Sequence, residues 1–239
     1  MAKIITCCAQ KGGCAKTVTV HNLSAALAEK GCRVLTVDLD PQANLTMCFG
    51  FDEPSSLPVT TADLLDRMAH DEELPAKEEY ILHPGTVDLI ASSTSLAGVS
   101  ETIRLEYGSE IFLKSILKPL RASYDYILVD TGPKLDNLAI NALVAADSVL
   151  IPVNPQYFST MGLENLLKTV KKIKRRFNPA LFVEGILLTM YEPRKNLCKV
   201  ITEQIREAYL PHIRIFSMPV PMTIRVGEAV YYSKSIHLE

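Results

Sequence analysis

The chain is predicted to be an α/β protein, with a single doubly wound, mostly parallel β-sheet flanked by helices. Three observations predict it. Strand-like and helix-like segments alternate from the N-terminus onward. The strand-like runs are apolar along their length, as in a sheet buried on both faces. The first run empties into a Gly-Gly turn with Lys-Thr behind it, and then into a helix.

The elements follow in order. Lys3–Cys8 is a strand. Lys16–Lys30 is a helix with Leu23, Ala26 and Leu27 on one face, and Gly31 stands where a C-cap glycine belongs. Arg33–Asp38 is a short apolar strand ending in an acid. Phe49–Pro58, with Gly50, Pro54, Ser55, Ser56 and Pro58, reads as loop. Thr61–Ala69 is helical, and the acid-rich stretch Asp71–Glu79 reads as a solvated, mobile loop. Val87–Ala91 is a strand, Glu106–Leu120 a helix and Tyr126–Asp130 a strand. Asn137–Ala145, Val149–Val153, Leu163–Phe177, Phe182–Met190 and Leu197–Tyr209 continue helix, strand, helix, strand, helix. At 239 residues and 48% hydrophobic content, residues 1–239 can bury one full core as a single domain.

A net charge of −2 and a pI near 6.2 give no global attraction to DNA or to an anionic membrane, so any such affinity must be local. No apolar run approaches the ~20 residues of a membrane span, and no secretory signal precedes the first strand. Cys7, Cys8, Cys14, Cys32, Cys48 and Cys198 include no C-x-x-C pair. Reduced thiols in a cytoplasmic protein are the expectation, rather than an iron–sulfur or redox centre.

Residues 10–18 carry the chemistry: Gln10-Lys11-Gly12-Gly13-Cys14-Ala15-Lys16-Thr17-Val18. Glycines let the backbone approach phosphates and turn N–H groups toward them. Lys16 is placed to reach the β/γ-phosphates and Thr17 to ligate Mg²⁺, with the positive end of the next helix aimed at the same anion. The usual pattern G-x-x-x-x-G-K-[ST] needs glycine at 10 and 15, where this chain has Gln10 and Ala15. A second lysine, Lys11, stands five residues before Lys16. Ligands of such sheets bind at the carboxyl ends of strands, where Asp38, Asp40 and Asp130 sit. Taken singly, each acid is equally a cap or turn former. In this order behind the loop, they read as a metal–phosphate site.

These residues resemble the ParA/MinD-type ATPases, the deviant Walker-A group, and within it the ParA/Soj branch that partitions chromosomes and plasmids. Lys11-Gly12-Gly13-x-x-Lys16-Thr17 matches the signature loop. Val37–Asn44 (Val-Asp-Leu-Asp-Pro-Gln-Ala-Asn) and Tyr124–Asp130 (Tyr-Asp-Tyr-Ile-Leu-Val-Asp) match the second and third motifs, and Ala139–Pro152 and Gly185–Asn196 extend the likeness. The resemblance implies a P-loop NTPase-like fold and a slow, partner-stimulated ATPase using ATP/ADP and Mg²⁺. Two subunits would sandwich two ATP molecules, each Lys11 crossing to the partner's nucleotide as an arginine finger does. Asp40 would position the attacking water, Asp130 would hold the Mg²⁺ shell, and Asp38 would support Lys16 and the metal waters. Adenine would lie near Met190 and Pro221-Met222. Expected partners are a second copy of the chain, non-specific DNA and a ParB-like adaptor, at the nucleoid of a bacterial cytoplasm.

The chain also departs from the family. Ala15-Lys16-Thr17-Val18 replaces Gly-Lys-Thr-Thr, so Val18 offers no hydroxyl to the α-phosphate. If position 15 needs φ > 0, Ala15 costs on the order of 1 kcal/mol or more. Met222 stands where an arginine used on DNA is common, while Arg194 and Arg225 remain at basic family positions. The chain stops at His237-Leu238-Glu239, where the family continues into a last helix, and the expectation is a truncated C-terminus with Leu-Glu as a cloning remnant. Lys168, Lys171, Lys172, Lys174, Arg175 and Arg176 crowd one helix. They form either a solvated face complementing the helix C-terminus or a phosphate-binding patch. Three functions stay open: a DNA-partition ATPase, a positioning ATPase acting on a protein cargo without DNA, and a metabolic P-loop enzyme such as an amidoligase or a nitrogenase-iron-protein relative.

Overall fold

Apolar runs of five to seven residues become the strands β1 (Lys3–Cys7), β2 (Val34–Leu39), β3 (Asp88–Ile90), β4 (Tyr126–Thr131), β5 (Ser148–Val153) and β6 (Phe182–Leu188), of which only β3 is shorter. The computed structural model describes residues 1–156, 159–232 and 234–236. Its helices are α1 (Lys16–Glu29), α2 (Asn44–Cys48), α3 (Thr61–Ala69), α4 (Lys77–Tyr80), α5 (Leu96–Ile103) and α6 (Phe112–Leu117). They continue with α7 (Asn137–Ala145), α8 (Ser159–Arg176), α9 (Asn196–Tyr209) and α10 (Ile224–Tyr231). The strands form one six-stranded sheet in the order β3-β2-β4-β1-β5-β6, and every strand pairing is parallel. Parallel neighbours need crossover helices, which cover the sheet. One apolar cluster joins one face of the sheet to α3, α5, α6, α7, α8 and α9, and a second joins the other face to α1.

Register places the site. Asp38 of β2 lies opposite Asp130 of β4, and Asp130 lies opposite Cys7 of β1. The carboxyl ends of three adjacent central strands therefore meet where β1 runs into residues 10–18. The far end of the sheet is closed by Asn178, whose side-chain amide donates to the carbonyls of Leu143, Val144 and Ala146. That ties the C-terminal end of α8 to the C-terminal end of α7, just before β5.

Several expectations need correction. Glu106–Leu120 is not one helix: Gly108 takes a φ of 75°, a 3₁₀ turn follows at Ser109–Ile111, and α6 ends before a second 3₁₀ turn at Pro119–Ala122. Helices α2, α5 and α10 arise where no helix is expected. The acidic stretch 71–79 is solvated, but Lys77–Tyr80 closes one helical turn. The buried positions of α1 are Lys16, Val20, His21 and Ser24, whereas Leu23, Ala26 and Leu27 are only half-buried. Gly31 does end α1, with a φ of 80° and its N–H on the Ala28 carbonyl at 2.8 Å. All six cysteines are free thiols, five of them buried.

Candidate functional site

The loop after β1 is built around two left-handed residues, Gly13 with a φ of 66° and Ala15 with a φ of 62°. Ala15 is the N-cap of α1 and gives no side-chain cap, so the first N–H groups of α1 are left for a ligand. A Cβ added at Gly12 or Gly13 would meet no atom within 4 Å, because both positions open onto solvent space. From behind, the Thr189 hydroxyl donates to the Cys14 carbonyl at 2.9 Å and the Cys14 thiol to the Lys11 carbonyl at 3.1 Å. The Lys16 ammonium is buried and lies 3.4 Å from the Lys11 carbonyl.

A cleft of about 830 Å³ opens over this loop, lined by Gly12, Gly13, Lys16, Thr17, Asp40 and Pro133 among others. On the other side of Ala15 and Val18 lies a second, more apolar cleft of about 630 Å³. It brings together Met190, Pro221 and Met222, with Leu23 and Ala26 of α1 on its wall, which is where the apolar face of that helix goes. Main-chain pairing fixes this wall: the Tyr191 N–H donates to the Val220 carbonyl at 3.0 Å, and the Met222 N–H to the Tyr191 carbonyl at 3.1 Å. Met190 itself has a φ of 50°.

The three acids differ in their surroundings. Asp38 is fully buried and accepts from the Thr46 N–H, the Thr46 hydroxyl and the Asp40 N–H at 2.9, 2.8 and 3.1 Å. Burial pushes its carboxyl up to about 6 despite these donors. Asp130 is fully buried too, and its Oδ2 has no hydrogen-bond partner. Burial first, then the charge of Asp38, raises its carboxyl to about 8, while the Thr17 hydroxyl and Lys16 pull the other way. Asp40 lines the cleft, accepting the Gln42 N–H at 3.0 Å, with Gly132 close against its carboxylate. Among the described residues no group of three or more His, Cys, Asp or Glu could hold a metal unaided. An orphaned carboxylate oxygen beside a threonine hydroxyl fits Mg²⁺, a hard ion that takes one or two protein oxygens and completes its shell with phosphates and water.

Lys11 stands apart from Lys16. Its ammonium meets Gln156 Oε1 at 2.6 Å, beyond the end of β5, and it does not line the cleft over the loop.

A family model described as AAA domain matches residues 2–183. The sporulation initiation inhibitor protein Soj of Bacillus subtilis is 36% identical, over 100% of this chain and 91% of its own. The chain belongs to the ParA/MinD-type family of P-loop ATPases, close to Soj and ParA. The chromosome partitioning protein ParA of Myxococcus xanthus is 35% identical over 100% of this chain and 82% of its own length. Among solved structures, cobyrinic acid a,c-diamide synthase from Mycobacterium smegmatis with a bound ATP analog and magnesium superimposes with a TM-score of 0.84. It is 30% identical and covers 97% of this chain and 91% of its own.

The basic residues of this ParA-type chain do not form one patch. Arg194 and Arg225 are exposed and flank the bridge between Tyr191 and Pro221, at the nucleotide-loop end. Lys171, Lys172 and Arg175 are exposed on the last turns of α8, at the opposite end of the sheet. Met222 is 58% exposed. His237–Glu239 lie outside the described residues. Among the described residues no helix is long and apolar enough to cross a membrane.

A supporting network is absent from the sequence reading. The Ser92 hydroxyl donates to the Asp40 carbonyl at 2.8 Å, the Ser92 N–H to Thr46 Oγ1 at 2.9 Å, and the Thr61 hydroxyl to the Asp38 carbonyl at 3.0 Å. It fixes the backbone that presents Asp40. Single Ser and Thr residues outside any motif carry no sequence signal for this role.

Proposed function

We propose that residues 1–239 act as one ATPase domain, an ATP-dependent dimerising switch that partitions DNA, with hydrolysis releasing it from DNA. The observation that carries this reading is the division of labour between the two lysines. Lys16 is buried at the loop, where a nucleotide's β/γ-phosphates would lie, while Lys11 points out of its own cleft. A cation that cannot serve its own nucleotide is suited to a partner's, which makes hydrolysis conditional on dimerisation.

In this reading the N–H groups at the start of α1, with Lys16, hold the phosphates, and Asp40 orients the attacking water and accepts its hydrogen bond. Thr17 and Asp130 hold Mg²⁺, which supplies charge neutralisation on the phosphate oxygens. Asp38 acts one step back: with its lone pairs on Thr46 and the Asp40 N–H, it holds the Asp40 loop in place. The adenine occupies the cleft beside Met190 and Pro221-Met222, whose apolar wall suits a flat base. Val18, lining both clefts, contacts the nucleotide through its backbone only. Arg194 and Arg225 meet DNA phosphates from the nucleotide end, and a ParB-like adaptor stimulates turnover. Identity to Soj and ParA, at 36% and 35%, exceeds the 30% to the diamide synthase and favours partition over a metabolic role.

The test measures retention of random-sequence duplex DNA by wild type and Lys11→Ala, with ATP and with ADP, near physiological salt. The expected result is retention by wild type with ATP alone, and none by Lys11→Ala, which still binds ATP. Equal retention in ATP and ADP would sink the switch. No retention by wild type would favour the protein-cargo function.

A further inference from the structure

The cations at the end of α8 lie at the end of the sheet opposite the nucleotide loop. Helix α8 runs 18 residues, about 27 Å, away from the nucleotide end of the sheet. Its C-terminus is pinned by Asn178 against the C-terminal end of α7. Lys171, Lys172, Lys174, Arg175 and Arg176 fall within about 8 Å of helix axis. Leu166, Val170 and Ile173 are buried on the opposite side, so the cations face outward. Among the described residues none of these cations is in an ion pair, whereas Lys168, one turn earlier, is bound to Glu164.

Three acids at the starts of neighbouring strands are already paired. Asp147, at the start of β5, is held by Arg121 at 2.7 Å; Glu184, near the start of β6, by Lys3 at 2.6 Å; and Asp125, before β4, by Arg33 at 3.1 Å. With no acid among residues 165–183, the end of α8 concentrates five positive charges on a well-packed helix of an otherwise slightly acidic molecule. Duplex DNA presents one charge per ~1.7 Å of axis, so cations spread over such a length meet several phosphates at once. A lipid surface would call for an apolar face beside the charge. The exposed aromatics that follow the cluster along the chain are Phe177 and Phe182, 37% and 46% exposed, and Phe182 is already capped by the Lys3 ammonium at 5.4 Å.

We propose that the C-terminal end of α8 is a second DNA-backbone contact, independent of nucleotide, at the end of the subunit opposite Arg194 and Arg225. It rests on the DNA reading above and adds that one subunit touches DNA at two ends under different control. The nucleotide end engages only in the ATP dimer. The α8 end holds DNA weakly in every state, so a subunit that has released one contact stays near the track.

The test is a salt series on duplex DNA without nucleotide and with ATP, using wild type, Lys171→Gln/Lys172→Gln/Arg175→Gln, and Arg194→Gln/Arg225→Gln. All substituted residues are exposed, and circular dichroism with thermal melting checks folding. Without nucleotide at low salt, wild type and the Arg194/Arg225 variant should bind weakly, and the α8 variant at least tenfold more weakly. With ATP the α8 variant should still bind, with the slope of log K against log salt shallower by about one per lost contact in each subunit. Nucleotide-free binding that is absent in wild type, or unchanged in the α8 variant, overturns the inference. So does preference of nucleotide-free wild type for anionic phosphatidylserine vesicles over DNA at equal charge. Failure of the ATP-dependent step alone, with low-salt binding intact and lost in the α8 variant, would count against the switch and not against this contact.

Discussion

Replacing Ala15 by glycine should stabilise the protein in the absence of nucleotide. Ala15 holds a φ of 62° and a ψ of 35°. A left-handed conformation costs an L-residue about 1–2 kcal/mol, which glycine does not incur. Against this, glycine makes the unfolded chain more disordered, worth about 0.4–1 kcal/mol. Loss of a half-buried methyl removes roughly another 0.4 kcal/mol. The net gain is roughly 0.5 kcal/mol, a rise in Tm of about 1–2 °C at this chain length. Ala26→Gly, inside α1, is the matched control: it has the same unfolded-state effect with no strain to relieve, costs about 1 kcal/mol and lowers Tm by about 2–4 °C. Calorimetry of the two variants without nucleotide reads the contrast directly. If Ala15→Gly melts as low as Ala26→Gly, the left-handed loop entry is not strained and the reasoning fails.

Lys16→Ala should abolish ATP binding by equilibrium dialysis, while Asp40→Ala should bind ATP, stall hydrolysis and accumulate as a dimer on a sizing column; turnover by Asp40→Ala at the wild-type rate would remove Asp40 from the water-positioning role. Ala15→Gly combined with Val18→Thr should raise ATP affinity or turnover, and equal or lower activity would mean the pocket is tuned to the existing pair. Asp130 is protonated more readily in the fold than in the unfolded chain, so its contribution to stability is full below about pH 4 and is lost as pH rises through about 8. Asp130→Asn should therefore melt progressively higher than wild type as pH climbs from 5 to above 8 without nucleotide, and a constant difference across that range would refute the burial argument. Thr46→Val leaves Asp38 without its hydroxyl donor and should cost about 1–3 kcal/mol in a urea titration, whereas the same change at the exposed Thr86 should be silent.

The sheet and its acids are legible because each carries a local signal. Apolar runs mark the strands, and Asp38 and Asp130 end two of them in register. Lys16 and Thr17 are legible from a spacing that phosphate binding imposes. The unread parts depend on distant partners. Helix α5 carries Gly98 and β-branched residues, and forms because Leu96 and Ile103 are fully buried. Helix α2 is five residues long, entered through the left-handed Ala43 and held by the bond between Thr46 and Asp38. The outward aim of Lys11 depends on Gln156, 145 positions along the chain. The division of the basic residues between two ends follows from strand order, which spacing within one helix does not reveal.

The lysine at the heart of the loop has a partner within the protein itself. With Lys16 resting on the Lys11 carbonyl, Thr189 clamping the Cys14 carbonyl and Asp38 gripping the next loop, the site is held in shape by the protein's own bonds. Little ordering entropy is then left to be lost on capture, so affinity rests on preorganisation. Exchange of spent for fresh nucleotide becomes a matter of diffusion and release, with no refolding of the cradle between one cycle and the next.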